Sequence, residues 1–340
     1  MSAFGQERPT DWLSAERLES LPDTVFFHAR NKLSESLRSG KFEMLSAFAA
    51  HVGAAGWGVE VVTFAPDGQD RALDYPRHLH IFMDDRAAYG ANAIHCVPSY
   101  LPGFWYFDEI GSRNNSLMRL AKFEPRAIGA QFAQEFHTRL VSRFIATNRS
   151  KFEQEPRGAV AIEAGCLVFF AQDFKPPRNH RHFLTVPQMI EAAIAAKGAR
   201  RLYIKPHPNQ GFDEVEAMAR YHAPEAGVEV THASIHDLLA AADCALTLTS
   251  AVGFEAFLHK TPVVLGGQTD FWQNAITLTD PGQMVQAMAA ALGREWPYEK
   301  FLLWYLRQMC VDGTAKALPK VLEKLHRKGF SFGGPGRGFF

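Results

Sequence analysis

The chain has only four cysteines in 340 residues, Cys96, Cys166, Cys244 and Cys310, and no two of them form a CxxC pair. Such spacing argues against a zinc site or a redox couple and suits a reducing compartment. Cys166 and Cys244 lie in apolar runs and read as buried thiols. No stretch approaches the roughly 20 apolar residues that cross a bilayer. Met1 to Asp23 is polar, without an apolar core of signal-peptide length. No Asp-x-Asp pair and no cluster of His, Cys and carboxylates at ligand spacing is present, so no metal and no cofactor are expected. Lys plus Arg and Asp plus Glu both number 36, giving zero net charge and no global attraction to nucleic acid. These absences describe a cytoplasmic protein.

What is present suits a packed enzyme. Hydrophobic residues make up 47% and charged residues 21%, ordinary values for a globular core. The length predicts more than one compact unit. Short apolar runs at Thr24–Phe27, Val59–Phe64, His78–Met83 and Ala93–Val97 alternate with helical stretches such as Phe42–Ala54. A second set follows at Cys166–Phe170, Leu202–Ile204, Val228–Val230, Cys244–Leu248 and Pro262–Leu265. Alternation of this kind predicts an α/β fold with parallel sheets wrapped by helices. Phe132–Ala146 reads as a helix closing the first half, and the polar stretch Gln154–Gly158 as the linker. The expected division is 1–153, 154–297, C-terminal helices over 298–330 parted by Asp312-Gly313, and a Gly-rich flexible tail over 331–340.

Two segments carry the chemistry. Lys205-Pro206-His207-Pro208 follows a strand directly. Each proline restricts the residue before it to extended geometry, so His207 is held rigidly at the strand's C-terminal edge, where open α/β sheets bind ligands. Thr249-Ser250-Ala251-Val252-Gly253-Phe254-Glu255-Ala256 also follows a strand, with Thr249 and Ser250 where an N-cap belongs. A capped helix start offers unpaired N–H groups and partial positive charge to a phosphate. Gly253 would allow close backbone approach, and Glu255 could reach ribose hydroxyls from an exposed position in a cleft. A plain capped helix with an early Glu would show the same pattern. Together the two segments suit a nucleotide's phosphate and ribose.

The pattern Lys205-Pro206-His207-Pro208, then Thr249-Ser250-x-x-Gly253-Phe254-Glu255-Ala256, then Lys260-Thr261-Pro262-Val263-Val264, resembles the bacterial capsule polysaccharide biosynthesis family, which includes β-Kdo transferases. The resemblance covers residues 160–280. It implies a GT-B-like glycosyltransferase, two Rossmann-type domains with a cleft between them, and a CMP-sugar donor. Kdo is the expected sugar, transferred with retention, in capsule or surface-glycan assembly. In that picture His207 and Ser250 contact the donor phosphate, helped by Lys205 and Thr249, and Glu255 contacts the ribose. Gln172-Asp173 sits near where the family places a Gln and acidic residues, although Phe174-Lys175-Pro176-Pro177 departs from its pattern. GT-B enzymes commonly send their last helices back across the first domain.

A sugar leaving CMP needs a carboxylate facing its anomeric carbon, as nucleophile or base. Asp173 is the first candidate and Asp108 the second, with His207 stabilising the leaving phosphate. The aromatic-dense run Tyr100–Phe107 and its sequel offer Trp105 and Arg113 as acceptor contacts, although the aromatics also fit a core patch. The basic cluster Lys175–His182 could hold an anionic sugar or simply be a surface turn. The basic series Lys316, Lys320, Lys324, Arg327, Lys328 could favour an anionic inner-membrane surface, for an enzyme acting on glycan or lipid-linked glycan acceptors; a solvated face fits it too. Two other function classes remain open: a CDP-polyol phosphotransferase, and a non-catalytic export or assembly protein with a nucleotide-binding fold.

Overall fold

The computed structural model describes residues 3–4, 7–9, 12–63, 73–84, 89–172 and 181–332. The described chain divides into two compact units. One comprises Met1–Ser99, Gly103–Leu120 and Leu306–Phe340; the other comprises Tyr100–Pro102 and Ala121–Tyr305.

The first unit is built on β1 (Glu7–Arg8), β2 (Thr24–Ala29), β3 (Gly58–Thr63), β4 (Leu79–Phe82) and β5 (Ala93–His95). Their order is β1-β3-β2-β4-β5, and every pairing is parallel. A parallel sheet is covered on both faces, and β2 is buried along its whole length. One face carries Val25, Phe27, Ile81 and Ile94 against Leu45, Phe48 and Val52 of the helix Glu43–Ala54. The short strand β6 (Phe104–Trp105) lies outside this sheet.

The second unit holds β7 (Cys166–Phe170), β8 (Leu202–Lys205), β9 (Val228–Val230), β10 (Ala242–Thr247), β11 (Val263–Leu265) and β12 (Ile276–Thr277). Their order is β12-β11-β10-β7-β8-β9, again parallel throughout. The run Cys-Leu-Val-Phe-Phe of β7 is wholly buried, as a central strand covered on both faces must be. Helices Val186–Ala196 and Met284–Leu292 supply Met189, Ile190, Ala193, Met288 and Ala291 to the core. The first of them starts with a capping box between Thr185 and Gln188.

The domain boundary differs from the sequence reading. Residues 121–153, including the helix Ala130–Leu140 and the π turn Val141–Ile145, pack within the second unit instead of closing the first. His137 Nε2 donates to the Leu258 carbonyl at 3.0 Å, which anchors that helix. In the C-terminal segment, β13 (Val311–Asp312) pairs antiparallel with β6. The helix Leu318–Arg327 adds Val321 and Leu325 to the first unit's core.

Two lysines of the basic series, Lys320 and Lys324, are engaged at backbone carbonyls, while Lys316 and Arg327 are exposed. Lys320 Nζ donates to the carbonyls of Arg307, Gln308 and Cys310, and Lys324 Nζ to those of Phe107 and Met309. Lysines here satisfy orphan carbonyls at a helix end. In the second unit Asp270, wholly buried, accepts from Tyr100 Oη at 2.9 Å and Tyr305 Oη at 2.7 Å.

Candidate functional site

The sheet of the second unit has one topological switch point. From β7 the chain moves outward through β8 to β9, then returns to the other side of β7 with β10 and continues to β11 and β12. At such a switch point between β7 and β10 open α/β sheets bind their ligands. Gln172 leaves β7 and Thr249 leaves β10 at this point.

Gln172 and Thr249 are joined twice. Thr249 N donates to Gln172 Oε1 at 2.7 Å, and Gln172 Nε2 to Thr249 Oγ1 at 3.3 Å. His182 Nε2 lies 3.0 Å from the same hydroxyl. Gln210 ties in the β8 loop: its Nε2 donates to the Gln172 carbonyl at 2.5 Å, and its Oε1 accepts from His207 N at 2.6 Å. His207 Nδ1 accepts from Asn209 N at 3.1 Å, which fixes the tautomer with the proton on Nε2 when the ring is neutral. Its ring stands edge-on to Phe152, centroids 5.1 Å apart. Three strand ends are thus brought together, and Gln172, His207 and Thr249 share one hydrogen-bonded frame.

Other sequence expectations need correction. Ser250 is the N-cap of the helix Ala251–Glu255. However, the N–H groups expected to be free are largely engaged: Val252 N with Ser250 Oγ, Gly253 N with Ser250 O, Ser250 N with Thr247 Oγ1. Gly253 is packed, not open. A Cβ there would stand 3.1 Å from Thr247 Cγ2 and 3.4 Å from the Phe271 ring. Lys205 Nζ donates to the His232 and Ala233 carbonyls at 3.0 and 2.7 Å; it holds the loop after β9, and burial lowers its pKa.

Glu255, expected to be exposed, is 1% exposed. Its Oε1 accepts from Ser150 Oγ at 3.0 Å, and its Oε2 has no hydrogen-bond partner among the described residues. Burial pushes the carboxyl up to about 8, against the opposing pull of Ser150 and the Lys151 charge. It is a neutral acid at pH 7. The sequence reading missed this because helix position alone does not reveal what covers a residue.

Asp173 lies outside the described residues, as does most of the basic cluster 175–182. Asp108 is buried and committed to its own loop. Oδ1 accepts from the N–H groups of Ile110 and Gly111, and Oδ2 from that of Leu117. Burial raises its pKa while those three bonds oppose the rise. Both oxygens are in use, so Asp108 holds a turn instead of serving as a base. Trp105 is core: it pairs on β6 and meets Phe42 edge-on at 4.7 Å. Arg113 is half-buried with φ of 50°, in a 3-10 turn.

The residues missed were Ser150, Lys151 and Phe152, just ahead of the stretch read as the linker. Ser150 bonds Glu255, the Lys151 charge pulls on the same carboxyl, and the Phe152 ring meets His207. A hydroxyl, a cation and an aromatic in succession beside a helix end was the available signal.

The two parallel sheets, each wound with helices, define an α/β protein of two Rossmann-type units, GT-B-like in class. Residues 179–302 match the family described as capsule polysaccharide biosynthesis protein. Over that stretch, which contains His207, Thr249, Ser250 and Glu255, the chain carries this family's pattern. The Thermosulfurimonas dismutans KpsC β-Kdo 2,7 transferase shares the fold, with 12% identity, 90% of this chain and 100% of that chain covered, and a TM-score of 0.52. The β-Kdo 2,4 transferase of the same KpsC aligns at 17% identity over 82% of this chain and 88% of that chain, TM-score 0.45. Anabaena Alr3699/HepE in complex with UDP aligns at 13% identity over 90% and 100%, TM-score 0.42. No curated relative matches the sequence. No described helix is long and apolar enough to cross a membrane.

Proposed function

We propose that the protein is a glycosyltransferase that takes a sugar from a nucleotide donor, CMP-activated and of the Kdo type, in capsule or surface-polysaccharide synthesis. The observation that carries this reading is the Gln172–Thr249–Gln210–His207 frame at the switch point of the second sheet. It lies where open α/β sheets bind nucleotides, and most of it lies within the family match.

In this reading His207 turns its Nε2–H to the departing phosphate, Nδ1 accepting from Asn209 N. The Thr249 hydroxyl and the start of the Ala251–Glu255 helix add dipoles of the same sign. Glu255 enters this reading behind Ser150, with Oε2 as the acceptor for a ribose hydroxyl. Asp173 follows Gln172 in sequence and takes the role of nucleophile. Its carboxylate bonds to the anomeric carbon as the C–O bond to the phosphate breaks and CMP departs; an acceptor hydroxyl then displaces Asp173, its proton passing to the released carboxylate or to water, giving retention. No metal takes part: imidazole, hydroxyl and helix dipole meet the phosphate charge.

Calorimetric titration with CMP, CDP and UDP tests the nucleotide. CMP binding, with loss of turnover but not of CMP affinity in Asp173→Asn, is the expected result. Tight CDP binding with weak CMP binding would favour polyol-phosphate transfer, and no binding of any nucleotide would leave a non-catalytic assembly protein. Turnover lost on EDTA treatment and restored by Mg²⁺ would overturn the metal-free chemistry.

A further inference from the structure

His182 lies on no named strand or helix, and the loop after β11 fixes its place. His182 and Gly267 form an antiparallel bridge. On either side of it, Gln268 N donates to the Arg181 carbonyl at 2.6 Å and Phe183 N to the Gly266 carbonyl at 2.9 Å. The approach is closest at Gly267. A Cβ there would stand 2.7 Å from Thr249 Cγ2, 2.8 Å from the Arg181 carbonyl oxygen and 3.3 Å from His182 Cα. No side chain fits, so the β11 loop holds the His182 segment against Thr249, and His182 Nε2 comes to rest 3.0 Å from the Thr249 hydroxyl.

The protons of this contact can be followed one by one. Gln172 Oε1 accepts from Thr249 N at 2.7 Å, so the other end of the same amide, Nε2, donates to Thr249 Oγ1 at 3.3 Å. A hydroxyl has two lone pairs and one proton. One lone pair is thus filled by Gln172, and His182 takes a second position on the same oxygen. An accepting Nε2 would draw the Thr249 proton into the frame and leave the hydroxyl with only a lone pair to offer. A donating Nε2–H fills the second lone pair and turns the proton away from both neighbours. Thr249 is half-buried at the C-terminal edge of the sheet, the side on which such sheets take their ligands. An anion there calls for the outward proton, since an anion accepts hydrogen bonds and repels lone pairs.

The geometry points to His182 as a positioning residue: its Nε2–H donates to Thr249 Oγ1 and so presents the Thr249 O–H as a donor to the phosphate of the nucleotide. The inference rests on the nucleotide reading for the ligand, and on the Gln172–Thr249–His182 contacts for the direction of the proton. His182 acts through Thr249 and not on the phosphate itself.

Calorimetric titration of CMP, CDP and UDP into the full chain and its variants tests this. His182→Ala weakens the nucleotide that wild type binds by about tenfold, the loss of one bond to a charged group. His182→Gln, whose amide still donates, keeps most of the affinity. In a Thr249→Val background His182→Ala has no further effect, because both residues act through one proton. A ¹⁵N spectrum of the imidazole rings, with His182 assigned by the signal that His182→Gln removes, shows the proton on Nε2. A bare Nε2 overturns the proposal. So does equal nucleotide affinity in wild type and His182→Ala, or a loss that recurs in the Thr249→Val background. In each of these cases nucleotide binding by wild type leaves the nucleotide reading standing. A wild type that binds none of the three nucleotides sinks that reading, and the proposal with it.

Discussion

Replacing Glu255 by Gln should stabilise the protein, increasingly so as pH rises. The carboxyl is raised from its ordinary 4.5 to about 8 by burial. Between those values the unfolded chain has released this proton and the native state still holds it. The native state therefore binds more protons, and stability falls as pH rises through that window. The group's contribution is fully present below pH 4.5 and lost as pH climbs to 8. Each pH unit is worth about 1.4 kcal/mol, so a difference of about 4 kcal/mol between Gln and Glu develops by pH 7.5. Below pH 4.5 both side chains are neutral and the two proteins should agree closely, since a Gln carbonyl still accepts from Ser150. Thermal melts or denaturant titrations of both proteins from pH 4 to 8.5 read the difference directly, because all other titrating groups cancel. At about 2–4 °C per kcal/mol for a unit of this size, the gap in Tm is easily measured. Parallel pH profiles for wild type and Glu255→Gln would refute the buried neutral carboxyl.

Other expectations follow from the same geometry. His259, pressed below the usual imidazole range by burial and by His236 beside it, makes stability fall as pH drops below about 6.5; His259→Gln should flatten that acid limb in the same melts. Asp108→Asn should cost about 1–3 kcal/mol by leaving a loop N–H unpaired; an unchanged Tm with abolished turnover would instead restore Asp108 to the chemistry. Lys324→Met strips the donor from the Phe107 and Met309 carbonyls and should cost about 1–3 kcal/mol in a urea titration. Gly253→Ala pushes a methyl toward Thr247, whose hydroxyl is fixed to the Phe170 carbonyl at 3.0 Å, and should cost about 1–3 kcal/mol by the same measurement.

Much of the fold was legible because buried parallel strands are continuous apolar runs. Thr24–Phe27, Cys166–Phe170 and Val228–Val230 stand out between helical stretches and polar loops. The two-residue strands β1 and β12 carry no such signal, since a pair of residues has no period. The boundary near Leu120 was illegible for a different reason. Ala130–Leu140 is an ordinary amphipathic helix, and which core its apolar face joins depends on partners such as Leu258, over a hundred residues away. Within the candidate site, the rigid His207 loop and the Ser250 cap could be read from proline and hydroxyl positions. The occupation of Lys205, the burial of Glu255 and the packing at Gly253 could not, because each depends on what distant segments place against it.

The first unit is discontinuous, and that sets an order on synthesis. Its core includes Val311, Val321, Leu325, Phe330 and Phe332 beside Phe27 and Phe48. A ribosome must therefore make residues 311–332 before the first sheet can be covered, by which point the second unit, ending at Tyr305, has been made. Strands made before the second unit wait for a lid made after it, and a nonsense or frameshift lesion just after codon 305 would spare the second unit and uncover the sheet that holds Val25 and Phe27.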